Sequence, residues 1–140
     1  MLYIQKEGPT LTVQKADQTM IFEMSLKQFL TQRILKTEGC DVNIQAKLKG
    51  YYHRRYFKPW FIASNECYVA THAITSFSTF FINAMRVLSV EQSGLETLVV
   101  FDTGRHLKLA MATKHFKRRW LEAIQFVKAQ QEKSYKRFHR

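Results

Sequence analysis

The chain has 140 residues, of which 46% are hydrophobic and 14% aromatic, and it holds only five glycines and two prolines. This length fits one domain with its own buried core, and the composition excludes a largely disordered chain. Lys and Arg outnumber Asp and Glu by 22 to 11, which gives a formal net charge of +11. Such an excess favours a polyanionic partner (nucleic acid, anionic lipid or an acidic protein surface) over a merely soluble basic protein.

Targeting and redox patterns are missing from the sequence. The first residues lack a basic lead followed by an apolar stretch, so we expect no signal peptide, and no apolar run is long enough to cross a bilayer. Cys40 and Cys67 lie far apart without a CxxC spacing. We therefore expect reduced thiols rather than a disulfide, and a cytoplasmic location.

The first third of the chain predicts strands followed by a helix. Apolar and polar residues alternate around Leu2 and Ile4, around Leu11 and Val13, and around Met20, Phe22 and Met24. Gly8-Pro9 and Ala16-Asp17-Gln18 supply turns. Ser25 and Gln28 have the spacing of a capping box, and Gly39 is a suitable helix end. The apolar face of this helix consists of Leu26, Phe29, Leu30, Ile34 and Leu35.

The pattern of residues 41–57 fits two structures. Apolar residues alternate from Val42 to Leu48 as in a strand, but Asp41 is equally suited to cap a helix that runs to about Arg55. We favour the helix. Pro59 ends either element and directs Lys58 towards an extended conformation.

From Trp60 onward the pattern predicts an antiparallel meander. We expect strands over residues 61–63, 67–70, 82–91 and 96–101, and a further alternation at Leu107, Leu109 and Met111. Residues 64–66, 92–94 and 102–104 have the composition of turns, the last with Gly104 in the left-handed conformation. The stretch from Thr71 to Thr79 is rich in Thr and Ser and predicts a loop.

A long C-terminal helix is predicted from Thr113, its expected cap. Its core face has apolar residues at helical spacing, namely Phe116, Trp120, Ala123, Ile124 and Val127. Residues 129–140 lack such a face, and we expect them to form a basic tail. The sequence thus predicts an α+β fold. A predominantly antiparallel sheet meander, an early helix and a long C-terminal helix packed on the sheet form a single domain of residues 1–128.

Catalytic and metal-binding patterns are missing as well. The five histidines show no HxxxH or HExxH pairing, the eleven carboxylates are scattered, and there is no glycine-rich phosphate-binding motif. Cys67 and His72 lie too far apart between strand and loop to act as nucleophile and base. We therefore expect a protein that is not an enzyme and that needs no cofactor and no metal.

Nucleic-acid binding has stronger support in the sequence. Residues 47–58 interleave four aromatic residues with six cationic or potentially cationic ones, which are Lys47, Lys49, His53, Arg54, Arg55 and Lys58. Lys and Arg neutralise phosphates, and aromatic rings stack on bases. The alternative is a solvated basic edge above an aromatic core.

Two further stretches could contact phosphates. The start of the last helix places Lys114, Lys117 and Arg118 outward, where the helix dipole disfavours cations unless an anion binds there. The loop 71–79 offers side-chain donors for phosphate oxygens at His72, Thr75 and Ser76. The alternative is that this loop is only a polar connection between strands.

The sheet half resembles the competence transcription factor (ComK) family over roughly residues 40–125. The likeness lies in the order and spacing of several short motifs: Lys58-Pro59-Trp60-Phe61-Ile62, Tyr68-Val69, Thr71, Thr75-Ser76, Phe81-Ile82, Thr97-Leu98-Val99-Val100-Phe101, Gly104, Leu109, Phe116 and Arg119. The resemblance implies an activator that reads A/T-rich DNA, mainly through the minor groove, as a dimer or higher assembly. A fainter similarity, at residues 2–8, 25–27 and 81–83, links the chain to LytTR-type DNA-binding domains.

We therefore expect a transcription regulator that binds double-stranded DNA as a homodimer or higher homo-oligomer. Two alternatives stay open. The basic tail and the Tyr-rich segment also fit an RNA-binding or ribosome-associated protein. A sheet closed by a C-terminal helix also resembles pleckstrin-homology-like architecture, and a basic face suits anionic membranes.

Overall fold

The computed structural model describes residues 1–36, 59–72 and 76–138. These residues form an α+β fold with two antiparallel sheets, a short early helix and a long C-terminal helix, which confirms the predicted fold class. None of the helices in these ranges is both long enough and apolar enough to cross a membrane. The uncertain segment 41–57 and Cys40 lie outside the described residues.

The larger sheet has six strands in the order β3-β2-β1-β6-β5-β4. Its strands are β1 (Tyr3–Glu7), β2 (Thr10–Gln14), β3 (Thr19–Glu23), β4 (Trp60–Ala63), β5 (Glu66–Ala70) and β6 (Ser78–Asn83). Every neighbouring pair is antiparallel. The pairing of β1 with β6, from Tyr3 opposite Ile82 to Glu7 opposite Ser78, joins the N-terminal strands to the rest of the molecule.

The smaller sheet has three strands in the order β7-β8-β9, which are β7 (Val87–Ser93), β8 (Glu96–Phe101) and β9 (His106–Leu109). The prediction of one strand over residues 82–91 is therefore wrong, because a short 3-10 helix (Ala84–Arg86) separates β6 from β7. The Asn83 side chain explains the break: its Oδ1 accepts from the Met85 N–H at 3.2 Å and from the Cys67 N–H at 3.1 Å. The chain thus leaves one sheet and enters the other.

Each of the two hairpin turns in the smaller sheet contains a glycine. β7 continues to Ser93, so the turn consists of Gly94 and Leu95 rather than residues 92–94. Gly104 has φ +86 and its N–H donates to the Phe101 carbonyl at 2.9 Å. This confirms the predicted left-handed glycine between β8 and β9.

The early helix α1 (Leu26–Lys36) begins as predicted, since the Gln28 N–H donates to Ser25 Oγ at 3.1 Å. The long helix α2 (Thr113–Phe138) begins one residue earlier than a Thr113 cap requires. The Ala112 carbonyl accepts from Phe116 at 3.3 Å, and the Thr113 hydroxyl instead lies 3.0 Å from Thr97 Oγ1. The helix also continues beyond residue 128 into the stretch expected to be a tail.

The two faces of the larger sheet contact different layers, because successive side chains of a strand point to opposite faces. Helix α1 packs on one face, in a core that includes Leu30, Tyr68 and Phe81. Helix α2 and the smaller sheet pack on the other face, in a core that includes Val69 and Phe116. Phe126 of α2, which the predicted core face omits, is fully buried and packs edge-on against Phe61.

Candidate nucleic-acid interface

The solvent face of α2 is basic in its first turns. Lys114, Lys117 and Arg118 are exposed, whereas Phe116 between them is fully buried. Lys128 is exposed on the same side three turns later. We call these four cations, Lys114, Lys117, Arg118 and Lys128, the basic stripe. Leu121, which is 45% exposed, lies between its two ends.

The stripe has little internal charge compensation. The first turn of α2 has no acidic residue. Arg118 Nε lies 3.3 Å from Glu122 Oε1, and this arginine side chain is 72% exposed. Within the described part of the chain, no carboxylate oxygen lies within 4 Å of Lys114 or Lys117. Cations at a helix N-terminus oppose the helix dipole, so an anion bound here is stabilised by both the lysines and the dipole.

Arg119 has a different role from the other cations of its run. It is half-buried, and its Nη1 donates to the carbonyl oxygens of Ala70 at 3.1 Å and Thr71 at 3.0 Å. Arg119 therefore attaches α2 to the end of β5, at Ala70 and Thr71. Its spacing of three residues from Phe116 was the available signal in the sequence, because that spacing places both on one helix face.

The loop after β5 uses part of its polar groups internally. Thr71 and Thr79 are buried, and their hydroxyls lie 3.3 Å apart. The His72 N–H donates to Thr79 Oγ1 at 3.0 Å, and His72 itself is exposed. The hydroxyls of Thr71 and Thr79 therefore have hydrogen-bond partners within the protein. His72 and the half-buried Ser76 are at the surface, and Thr75 lies outside the described residues.

Phe77 is a surface aromatic that the sequence analysis did not single out. The residue is 75% exposed, directly after Ser76 and before β6. Its carbonyl accepts from the Gly8 N–H at 2.7 Å, and the neighbouring Ser76 carbonyl accepts from Lys6 Nζ at 2.6 Å. A lone aromatic within a Ser- and Thr-rich loop was the signal that could have marked it.

The first predicted basic segment cannot be placed beside these elements. Lys47, Lys49, His53, Arg54, Arg55 and Lys58 all lie outside the described residues. The described chain resumes at the buried Pro59, followed by Trp60 in β4, which is the last strand of the larger sheet. The described part of the candidate interface is therefore the basic stripe, while Arg119 attaches α2 to the end of β5 next to the exposed His72.

The described residues also bear on the other chemistries considered. No group of three or more His, Cys, Asp or Glu side chains within these ranges is arranged to hold a metal ion. Cys67 is fully buried, and burial raises the pKa of its thiol above the usual range. A buried protonated thiol is a poor nucleophile. The position and protonation of Cys67 thus suit a core residue.

Comparisons with known proteins add no relatives to this description. No family model matches the chain, and searches of the curated proteins and of the solved structures give no match.

Proposed function

We propose that this protein binds double-stranded DNA through the basic stripe of α2 and regulates transcription. The observation that carries the proposal is the exposure of Lys114, Lys117 and Arg118 at the start of a helix whose opposite face is fixed in the core. Neutralising phosphates releases condensed counterions, and this supplies most of the affinity of such surfaces for DNA.

The dimensions of the stripe suit a duplex. Lys114 and Lys128 are 14 residues apart in one helix, a span of about 21 Å at the usual rise of an α-helix. Successive phosphates of one DNA strand advance about 3.4 Å along the duplex axis, so the stripe corresponds to about six base pairs. The resemblance to competence transcription factors adds the preference for A/T-rich sites, where a narrow minor groove attracts Lys and Arg.

The test is fluorescence anisotropy with A/T-rich and G/C-rich duplexes over a salt titration. Lys114→Gln has a matched control in Lys27→Gln, because each lysine is exposed and is the second residue of its helix. Lys27 belongs to α1, on the opposite face of the larger sheet. We expect Lys114→Gln to lower the slope of log K against log salt by about 0.9, the value for one lost phosphate contact. Lys27→Gln should leave that slope unchanged.

The outcomes separate the candidate functions. Tighter binding of A/T-rich DNA that persists at physiological salt supports a sequence-preferring regulator. Equal affinity for both duplexes reduces the activity to that of a polycation. Tighter binding of single-stranded RNA, or of vesicles with anionic headgroups, overturns the DNA proposal in favour of those partners. Sedimentation equilibrium of the protein with and without duplex tests the proposed dimer or higher assembly.

A further inference from the structure

The two sheets of the described chain end in the edge strands β3, β4, β7 and β9, and β3 differs from the other three. β4 directly follows Pro59 and has a register shift, β7 also has a register shift, and β9 has only four residues, which include Lys108. Proline, bulges, lysine and short length all hinder the association of one sheet edge with another. The five residues of β3, Thr19–Glu23, lack proline and lysine and pair with β2 without a register shift.

The hydrogen bonding of the β2–β3 hairpin shows which main-chain groups of β3 point away from the sheet. The Lys15 N–H donates to the Gln18 carbonyl at 2.8 Å, so these two residues form a hydrogen-bonded pair. In an antiparallel ladder such pairs alternate with non-hydrogen-bonded pairs. The β3 residues in non-hydrogen-bonded pairs therefore direct their N–H and C=O groups to the free edge, and they are Thr19, Ile21 and Glu23. Among the described residues, no hydrogen bond uses these outward groups.

The free edge of β3 is complementary to a second copy of itself in antiparallel orientation. With Ile21 at the centre, Ile21 lies opposite Ile21 of the partner subunit, and Glu23 lies opposite Thr19 of the partner subunit. Each of these pairs has its main-chain groups directed to the other strand, as a hydrogen-bonded pair requires. No like charges meet within the paired strands, because Glu23 is the only charged residue of β3. On the face that α1 covers, Met20 of one copy lies opposite Phe22 of the other.

The ends of this strand pairing are complementary in charge. The same register, continued beyond β3, places the exposed Asp17 of the β2–β3 turn opposite Ser25 of the partner subunit. Ser25 caps α1, whose first turn has no acidic residue and includes the exposed Lys27. A carboxylate beside a helix N-terminus and a lysine is stabilised by both. Asp17 of each copy therefore supplies the negative charge that the start of α1 in the other copy lacks.

Building on the homo-oligomer of the proposed function, we propose that two copies of this chain associate through antiparallel pairing of their β3 strands. The two larger sheets then form one continuous sheet about a two-fold axis perpendicular to it. Both α1 helices lie on one face of this sheet, and both α2 helices with their basic stripes lie on the other. A single pair of short strands is a small contact. The monomer, with its exposed Ile21, therefore prevails in dilute solution and the dimer at higher concentration.

The experiment is sedimentation equilibrium without DNA over a wide range of protein concentrations. Physiological ionic strength is used because salt screens the repulsion between two basic chains. Wild type is compared with Ile21→Lys, with Ile21→Glu and with an equal mixture of these two variants. Leu88→Lys is the matched control, since Leu88 and Ile21 are 67% and 70% exposed and each lies in an edge strand.

We expect wild type and Leu88→Lys to form dimers reversibly and with equal affinity. Ile21→Lys and Ile21→Glu should each associate at least about fivefold more weakly, because this residue meets its own copy and like charges directly opposite destabilise a strand pair. The mixture should recover association, since opposite charges then meet at the centre of the pairing. Circular dichroism of dilute samples should be the same for all variants, because Ile21 is exposed in the monomer.

Three results overturn the β3 pairing: wild type that stays monomeric, single variants that associate as tightly as wild type, or a mixture that associates no more tightly than either variant alone. In each case salt-dependent binding of DNA by the basic stripe stands, because Ile21 lies outside α2. Failure of wild type to bind any duplex in the anisotropy titration overturns DNA binding, whatever the oligomeric state. The two failures are therefore distinguishable.

Discussion

The two ends of the larger sheet are built differently. At the β4 end, every residue of β5 is buried, since α1 covers one face and α2 with the smaller sheet covers the other. At the β3 end, burial alternates with exposure, and Met20 and Phe22 face α1 while Ile21 is 70% exposed. On the uncovered face, Ile21 lies opposite Thr12, and Thr12 lies opposite Gln5.

The two ends of the sheet therefore differ in how much their side chains contribute to the stability of the fold. A strand with two covered faces reads as an almost continuous apolar run, as in Cys67 to Ala70, whereas a strand with one covered face alternates. The doubly covered end also carries the attachment of α2, through the carbonyls of Ala70 and Thr71. We therefore expect core substitutions at the β4 end to affect stability most, and those on the open face of β3 to affect it least.

The largest expected effect comes from matched isoleucines in the two edge strands. Ile62 of β4 is 0% exposed and Ile21 of β3 is 70% exposed. Ile62→Ala should lower the free energy of unfolding by about 2–5 kcal/mol, because it removes buried methyl groups and leaves a cavity. Ile21→Ala should change it by less than about 0.5 kcal/mol. Urea unfolding followed by circular dichroism measures both.

A large loss in Ile21→Ala would contradict this contrast. It would show that the open face of β3 is covered in solution, and the unfolding midpoint would then rise with protein concentration because association stabilises the folded chain. A small loss in Ile62→Ala would contradict the assignment of the β4 end as the more stable one.

The second test concerns how α2 is held on the doubly covered end, and it uses two adjacent arginines. Arg119→Met removes two hydrogen bonds to buried strand-end carbonyls and should cost about 1–3 kcal/mol, since those acceptors lose a charged donor. Arg118→Met removes the exposed pair with Glu122 and should cost about 0.3–0.5 kcal/mol.

The two arginine variants should show the reverse order in DNA binding. Arg118→Met removes a phosphate contact of the proposed interface and should reduce the salt slope, while Arg119→Met should not. Equal stability losses would mean that Arg119 acts as a surface cation and not as an anchor.

Periodicity predicted much of this fold because it reports directly which face of an element is buried. Met20 and Phe22, the inward residues of β9 and Phe116 of α2 all lie where their spacing indicates. The break between β6 and β7 was not predictable in this way, since apolar residues continue through it. It depends on one side chain, Asn83, whose partners Cys67 and Met85 are brought together only by the sheet.

The candidate interface was predictable only in part for the same reason. Helical spacing places Lys114, Lys117 and Arg118 outward, because that pattern is local. The anchoring role of Arg119 depends on carbonyls 48 and 49 residues away in the chain.

The smallest expected effect concerns the ion pair between Arg86, in the short 3-10 helix after β6, and Asp102, in the turn after β8. Arg86 Nε donates to Asp102 Oδ2 at 2.7 Å, and this hydrogen bond lowers the pKa of Asp102 from its usual 3.8. A carboxylate with a lowered pKa in the folded state stabilises the protein above the unfolded pKa and loses that contribution as pH falls through the folded pKa. Asp102→Asn should therefore be less stable than wild type at pH 6, and the difference should vanish near pH 2.

Because the two side chains are 33% and 44% exposed, solvent screening should keep the difference below about 0.5 kcal/mol. Urea is the suitable denaturant, since guanidinium salt would screen the pair. A difference that persists at pH 2 would show that Asp102 acts through packing or its other hydrogen bonds and not through its charge.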